Sequence, residues 1–61
     1  MINDDKVFKR KLNLIEYTIR DLGYNLTEVE AIYDAAVAGI DVWSDKELVA
    51  YIEDRIDLEV R

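Results

Sequence analysis

The sequence contains no cysteine, no histidine and no proline, and these absences exclude several classes of protein and site. Without cysteine the chain cannot be a disulfide scaffold or hold a thiolate zinc site, so we expect a cytoplasmic protein. Without cysteine or histidine it lacks the usual thiol nucleophiles and general bases. Its two glycines are isolated and cannot form a phosphate-binding loop. The sequence therefore predicts a protein that is not an enzyme and uses no cofactor.

Long apolar segments are missing as well. The uncharged stretch at residues 35–40 is among the longest, and it falls far short of the roughly 18 residues that suggest a membrane span. The first residues are acidic where a signal peptide would be basic. Hydrophobic residues make up 51% of the 61 residues and charged residues 36%, interleaved along the chain. This composition favours a folded chain, and we expect one small domain over residues 1–61 with no membrane association.

Gly23 and Gly39 divide the chain into three segments, each with apolar residues at helical spacing. This pattern predicts an all-α fold, a compact three-helix bundle with helices at about 5–22, 28–38 and 45–57. The expected core stripes are Phe8, Leu12, Ile15, Ile19 and Leu22 in the first helix, Val29, Ile32, Tyr33, Ala36 and Val37 in the second, and Leu48, Val49, Ile52 and Ile56, extended to Val60, in the third. Among these we expect Leu12, Ile15, Ile19, Ile32, Ile52 and Ile56 to be buried.

Residues at the expected helix ends have the chemistry of helix caps. Gly23 suits the left-handed position after the first helix. Thr27 with Glu30, and Ser44 with Glu47, have the spacing of capping boxes at the starts of the second and third helices. We therefore interpret Ser44 as a cap and not as a nucleophile.

Several apolar residues lie outside the core stripes. They are Val7, Leu14, Tyr17, Tyr51 and Leu58. One interpretation is that the core of a three-helix bundle is wide enough to include them. The other is that they form a surface for a partner protein, since apolar and aromatic side chains ringed by charge are typical of binding surfaces.

Charge is unevenly distributed in a chain whose net charge is −6. The basic cluster Lys9-Arg10-Lys11 lies in the first helix, and we interpret it as a solvated face that can also meet the acidic third helix of a second copy. The candidate acidic binding residues are Glu28, Glu30, Asp34, Glu53, Asp54 and Asp57. Carboxylates repel phosphate, so we expect no direct binding of nucleic acid and a partner with a basic surface. Glu53, Asp54 and Asp57 are the best metal-ligand candidates, but we interpret them as a solvated face and expect no metal site.

The stretch Leu22-Gly23-Tyr24 between two helices, with Leu48-Val49-Ala50-Tyr51-Ile52 in the third, resembles the ubiquitin-associated domain family. That family is a three-helix bundle in which a Met-Gly-Phe/Tyr loop and the third helix form an apolar patch for ubiquitin. A leucine stands here where the family has methionine, and the first helix is longer. The resemblance implies a patch near Leu22, Gly23, Tyr24 and Ile52.

Taken together, these patterns lead us to expect a small, acidic, non-catalytic protein-protein interaction module: a regulator, adaptor or inhibitor that docks on a partner. A homodimer is a further expectation. The alternative is a nucleic-acid mimic, a phage-type inhibitor whose acidic face blocks a DNA- or RNA-binding protein.

Overall fold

The computed structural model describes the backbone of residues 2–60 and the side chains of residues 6–60. Helix α1 spans Ile2–Asp21, α2 spans Glu30–Ala38 and α3 spans Asp45–Glu59, and residues 2–60 contain no strand. Each helix contacts the other two. The predicted three-helix bundle is confirmed, although α1 begins earlier than expected, α2 begins later and α3 ends later.

The helices alternate in direction along the bundle. Arg10 near the middle of α1 pairs with Asp45 at the start of α3, while Leu22 just after α1 lies beside Ile56 near the end of α3. Helices α1 and α3 are therefore parallel, and α2 runs back between their ends.

The end of α1 is a Schellman motif. The Tyr24 N–H donates to the Ile19 carbonyl at 3.2 Å, and the Gly23 N–H donates to the Arg20 carbonyl at 2.9 Å. Gly23 has a φ of +96°, in the left-handed region that residues with a Cβ rarely adopt. The predicted role of Gly23 is confirmed.

The predicted capping box of Thr27 and Glu30 is wrong. The residue before α2 is Val29, and no side chain caps the helix there. Instead, the Asn25 N–H donates to the Glu28 carboxylate at 2.8 Å, and the Glu28 N–H donates to the Asn25 carbonyl at 3.1 Å. Glu28 thus stabilises a turn that comes before α2, and the helix starts only after it.

The backbone angle does not require glycine at residue 39, since its φ of −93° is one that other residues also adopt. The indole ring of Trp43 lies directly over Gly39, and a Cβ at residue 39 would be 2.5 Å from a ring carbon. Trp43 also packs against the core and against Tyr51, with 4.9 Å between the ring centroids. Glycine is needed here so that Trp43 can close the α2–α3 connection.

The capping box predicted at the start of α3 is confirmed. The Glu47 N–H donates to Ser44 Oγ at 3.2 Å, and the Ser44 N–H donates to Glu47 Oε1 at 2.8 Å. These two bonds satisfy donors that the first turn of a helix leaves unpaired.

A single apolar core lies between the three helices. Its buried residues are Ile15, Ile19, Val29, Ile32, Ala36, Ile40, Leu48, Ile52 and Ile56. Five of the six residues singled out from the sequence are among them, whereas Leu12 is only partly buried at the edge. Ile40 in the α2–α3 connection, 3% exposed, was missed.

The first residue of the predicted α1 stripe and the last residue of the predicted α3 stripe are more exposed than expected. Phe8 is 39% exposed and Val60 is 41% exposed, so neither belongs to the core. Helix α1 has 20 residues and α3 has 15, which at about 1.5 Å per residue makes α1 roughly 30 Å long and α3 roughly 22 Å. The first turns of α1 extend beyond the helices that would cover them.

Replacing Ile52, which is fully buried, with alanine should destabilise the fold by about 2–5 kcal/mol, because it removes core contacts and leaves a cavity. Urea unfolding followed by circular dichroism measures this loss. Leu58→Ala is the control, since Leu58 is 67% exposed and should change stability by no more than about 0.5 kcal/mol. Equal midpoints for Ile52→Ala and the wild type would contradict the described core.

Tyr33 of α2 contacts Glu16 of α1, and this contact should make the stability of the fold depend on pH in the alkaline range. Burial, followed by the charge and hydrogen bond of Glu16, raises the pKa of Tyr33, whose hydroxyl donates a long hydrogen bond of 3.5 Å to that carboxylate. A raised pKa in the folded state means that the stabilisation is full below about pH 10 and is lost as pH rises through the folded value. Above pH 10 the wild type should lose stability more steeply than Tyr33→Phe. Parallel urea-unfolding profiles would show that the contact has no such effect.

Candidate functional site

The five surplus apolar residues differ in their surroundings. Tyr17 is 68% exposed, Leu58 is 67% exposed and Val7 is 45% exposed, whereas Leu14 and Tyr51 are partly buried. Nothing in the structure gathers these five residues into one patch. Whether they bind a partner stays a prediction.

Tyr51 has a role within the fold. Its ring packs against the core and against Trp43, and the Arg55 guanidinium lies 5.7 Å from its centroid. Hydrogen bonding to Tyr51, followed by the charge of Glu59, raises the pKa of Arg55, which pairs with Glu59 at 3.3 Å. Tyr51 and Arg55 thus support one flank of α3.

Leu14 lies in a shallow depression between α1 and α3. Its neighbours there are Val49 and Ala50, which supply an apolar floor, and Asp45, Lys46 and Glu53, which supply charged edges. Val49, expected in the core, is only partly buried, and Ala50 is exposed. The depression is open because alanine at residue 50 has too short a side chain to fill it.

A second depression continues toward the end of α3. It is lined by Leu22, Ile56 and the carboxylates of Glu53, Asp54 and Asp57, and it shares Ala50 and Glu53 with the first. We call these two depressions together the α3 groove. Its floor is Leu14, Leu22, Val49 and Ala50, and its rim is Lys46, Glu53, Asp54 and Asp57.

A third depression on the other flank of α3, lined by Trp43, Glu47, Ala50, Tyr51 and Asp54, also reaches Ala50. Ala50 is therefore the centre of the outward face of α3. Sequence reasoning missed it, although an alanine placed opposite the buried Ile52 among charged residues was the available signal.

The six acidic candidates form two groups. Glu28, Glu30 and Asp34 belong to α2 and the turn before it, whereas Glu53, Asp54 and Asp57 belong to α3. All six are exposed, but Glu28 already accepts a backbone hydrogen bond. Only the α3 group lines the groove.

Of the α3 group, Asp57 lies in the last turn of the helix. The C-terminal end of a helix carries a partial negative charge, and the last turn of α3 contains no basic residue. Among the described residues, no group of three or more carboxylates is placed to hold a metal ion. Three carboxylates thus border this end of the groove.

The basic cluster Lys9-Arg10-Lys11 was predicted to be a solvated face. Two of its residues also make contacts within the fold. Arg10 pairs with Asp45 of α3. Lys11 Nζ donates to the Trp43 carbonyl at 2.6 Å and to the Ile40 carbonyl at 3.2 Å. Two of the three cations therefore hold α1 against the α2–α3 connection and the start of α3.

Comparison with known proteins adds no family to these observations. No family model matches the chain, and no significant match was found among curated proteins or solved structures. The patch implied by resemblance to the ubiquitin-associated domain would include Ile52, which is fully buried. Of its other members, Leu22 lines the α3 groove. No helix among residues 2–60 has the length and apolar character needed to cross a membrane.

Replacing Lys11 with methionine should destabilise the protein by about 1–3 kcal/mol, because two part-buried carbonyls lose a charged donor while the aliphatic stem is kept. The control is Lys6→Met, which makes the same charge change at an exposed residue of the same helix. Thermal unfolding of both variants at one pH and ionic strength measures the difference. A Lys11→Met variant as stable as Lys6→Met would show that the bonds to the connection contribute nothing.

Proposed function

We propose that this chain is a non-catalytic protein-protein interaction module that docks a partner on the α3 groove. The observation that carries the proposal is the partly exposed apolar floor around Leu14, Val49 and Ala50, which is bordered by charged side chains. Apolar surface covered by a partner contributes about 25 cal/mol for each Å² removed from water. A charged rim adds selectivity for the partner.

The side chains around the groove suit binding better than catalysis. They are aliphatic groups, carboxylates and one lysine, without a nucleophile held beside a general base. Ser44 Oγ is engaged in the cap of α3. We therefore propose a regulator, adaptor or inhibitor that acts by occupying its partner, in the cytoplasm.

The partner should present a basic surface with at least one aliphatic or aromatic side chain. Glu53, Asp54 and Asp57 gather at one end of the groove, and opposite charges speed encounter and set orientation. The apolar floor supplies the rest of the affinity.

Mimicry of nucleic acid is the less favoured function. It needs a continuous row of carboxylates, whereas the acidic residues belong to two separate helices, and Glu28 is engaged in a turn. A phosphate mimic would also lose affinity steeply with added salt, because its attraction is electrostatic.

The test is a substitution that fills the groove. Ala50→Arg places a long cationic side chain at its centre, and Ala31→Arg makes the same change on the exposed side of α2. In quantitative pull-downs from host extract, the captured amount of at least one protein should be at least tenfold lower with Ala50→Arg than with the wild type. With Ala31→Arg that amount should stay unchanged. The proposal fails if both variants capture the same proteins as the wild type.

A further inference from the structure

Lys11 joins α1 to the connection between α2 and α3, residues 39–44. Its Nζ donates to the Trp43 carbonyl at 2.6 Å and to the Ile40 carbonyl at 3.2 Å, and both bonds are part-buried. Hydrogen bonds from a charged donor are shorter and stronger than those between neutral groups. One cation therefore holds α1 at two points of the segment that precedes α3, and we call this contact the Lys11 tie.

The connection leads directly into α3. The Trp43 N–H donates to the Gly39 carbonyl at 2.9 Å, which closes the segment on itself. Ile40 is 3% exposed and belongs to the core. Ser44, the residue after Trp43, is the cap of α3. A shift of the Trp43 carbonyl would therefore move the first turn of α3 with it.

On α1, Lys11 lies between the groove and the core. Residues three and four positions apart are neighbours on one face of a helix, so Leu14 and Ile15 lie one turn beyond Lys11. Leu14 lines the α3 groove, whereas Ile15 is fully buried. The Lys11 tie is therefore next to the point where α1 contributes to the floor of the groove.

The neighbouring ion pair holds the two helices less firmly. Arg10 pairs with Asp45, but these side chains are 58% and 44% exposed. Exposed pairs contribute little, because water and salt screen their attraction. Lys11 instead binds part-buried backbone carbonyls. The position of α1 along α3 should therefore depend more on Lys11 than on Arg10.

We propose that Lys11 is a positioning residue for the α3 groove. By holding α1 to the segment before α3, it sets where Leu14 of α1 meets Val49 and Ala50 of α3. Neither depression of the groove has Lys11 among its lining residues, so it acts through the packing of the two helices and not by touching the partner. The inference rests on the proposed function, since it concerns the same groove.

Docking and the Lys11 tie should therefore be coupled. When α1 is free to shift, a partner that fits the present arrangement must use part of its binding energy to restore it. Loss of the tie should then weaken docking even in molecules that remain folded.

The geometric part of the inference is tested on the chain alone, by NMR of its methyl groups. Lys11→Met removes the charged donor, and Lys6→Met makes the same charge change at an exposed residue of the same helix. Lys11→Met should shift the methyl signals of Val49 and Ala50, which lie on the other helix, whereas Lys6→Met should leave them in place. A loss of stability alone would lower the amount of folded chain without moving its signals.

The functional part is tested by capture of a protein that depends on Ala50. Capture is expressed per folded chain, with the folded fraction taken from circular dichroism. Lys11→Met should capture at least about fivefold less of that protein than the wild type, the low end of typical coupling between two sites. Lys6→Met should capture as much as the wild type. Should Lys11→Met not fold, Lys11→Gln makes the same test, because its amide keeps N–H donors without the charge.

Three outcomes would overturn the inference: unchanged Val49 and Ala50 signals in the Lys11 variant, capture per folded chain equal to that of the wild type, or an equal loss of capture with Lys6→Met. In each case the docking function stands as long as Ala50→Arg still prevents capture. If no captured protein depends on Ala50, the docking function fails and this inference fails with it.

Discussion

The structure depends on the inward stripe of α3. Leu48, Ile52 and Ile56 recur every fourth residue and are essentially removed from solvent, so they fix the rotation of α3 about its own axis between α1 and α2. At 3.6 residues per turn, burying these residues turns Lys46, Ala50, Glu53, Asp54 and Asp57 toward water. The core and the groove are therefore two sides of one helix. A chain of 61 residues has little other buried area with which to hold α3 in place.

Polar contacts then set where α3 begins and how α1 meets it. Ser44 and Glu47 cap the start of the helix. Trp43 packs over Gly39, and Lys11 donates to the carbonyls of Ile40 and Trp43 in the same connection. These contacts align α1 parallel with α3, so that Leu14 and Leu22 border the same groove. The alignment also leaves the beginning of α1 without a covering helix, which explains the exposure of Val7 and Phe8. The groove and the exposure of Val7 and Phe8 thus follow from the same packing arrangement.

Apolar periodicity was enough to predict the three helices and most of the core, because these depend on spacing along one segment at a time. The capping box of Ser44 and the left-handed Gly23 are equally local, and both were predicted. The Thr27 cap was wrong because Glu28 satisfies a competing turn with Asn25. The partners of Arg10 and Lys11 lie about thirty residues away in sequence, so no local pattern indicates them. Ala50 went unnoticed because its importance lies in the space around it, which only the packing of α1 against α3 creates.

The central claim is that another polypeptide chain docks on the outward face of α3. An NMR titration of the methyl-labelled chain with a protein whose capture depends on Ala50 tests it most directly, because it reports which methyl groups the bound partner covers. The account predicts that the methyl signals of Leu14, Val49 and Ala50 shift on binding. Shifts confined to Ala31 and Ala38 on α2 would contradict it.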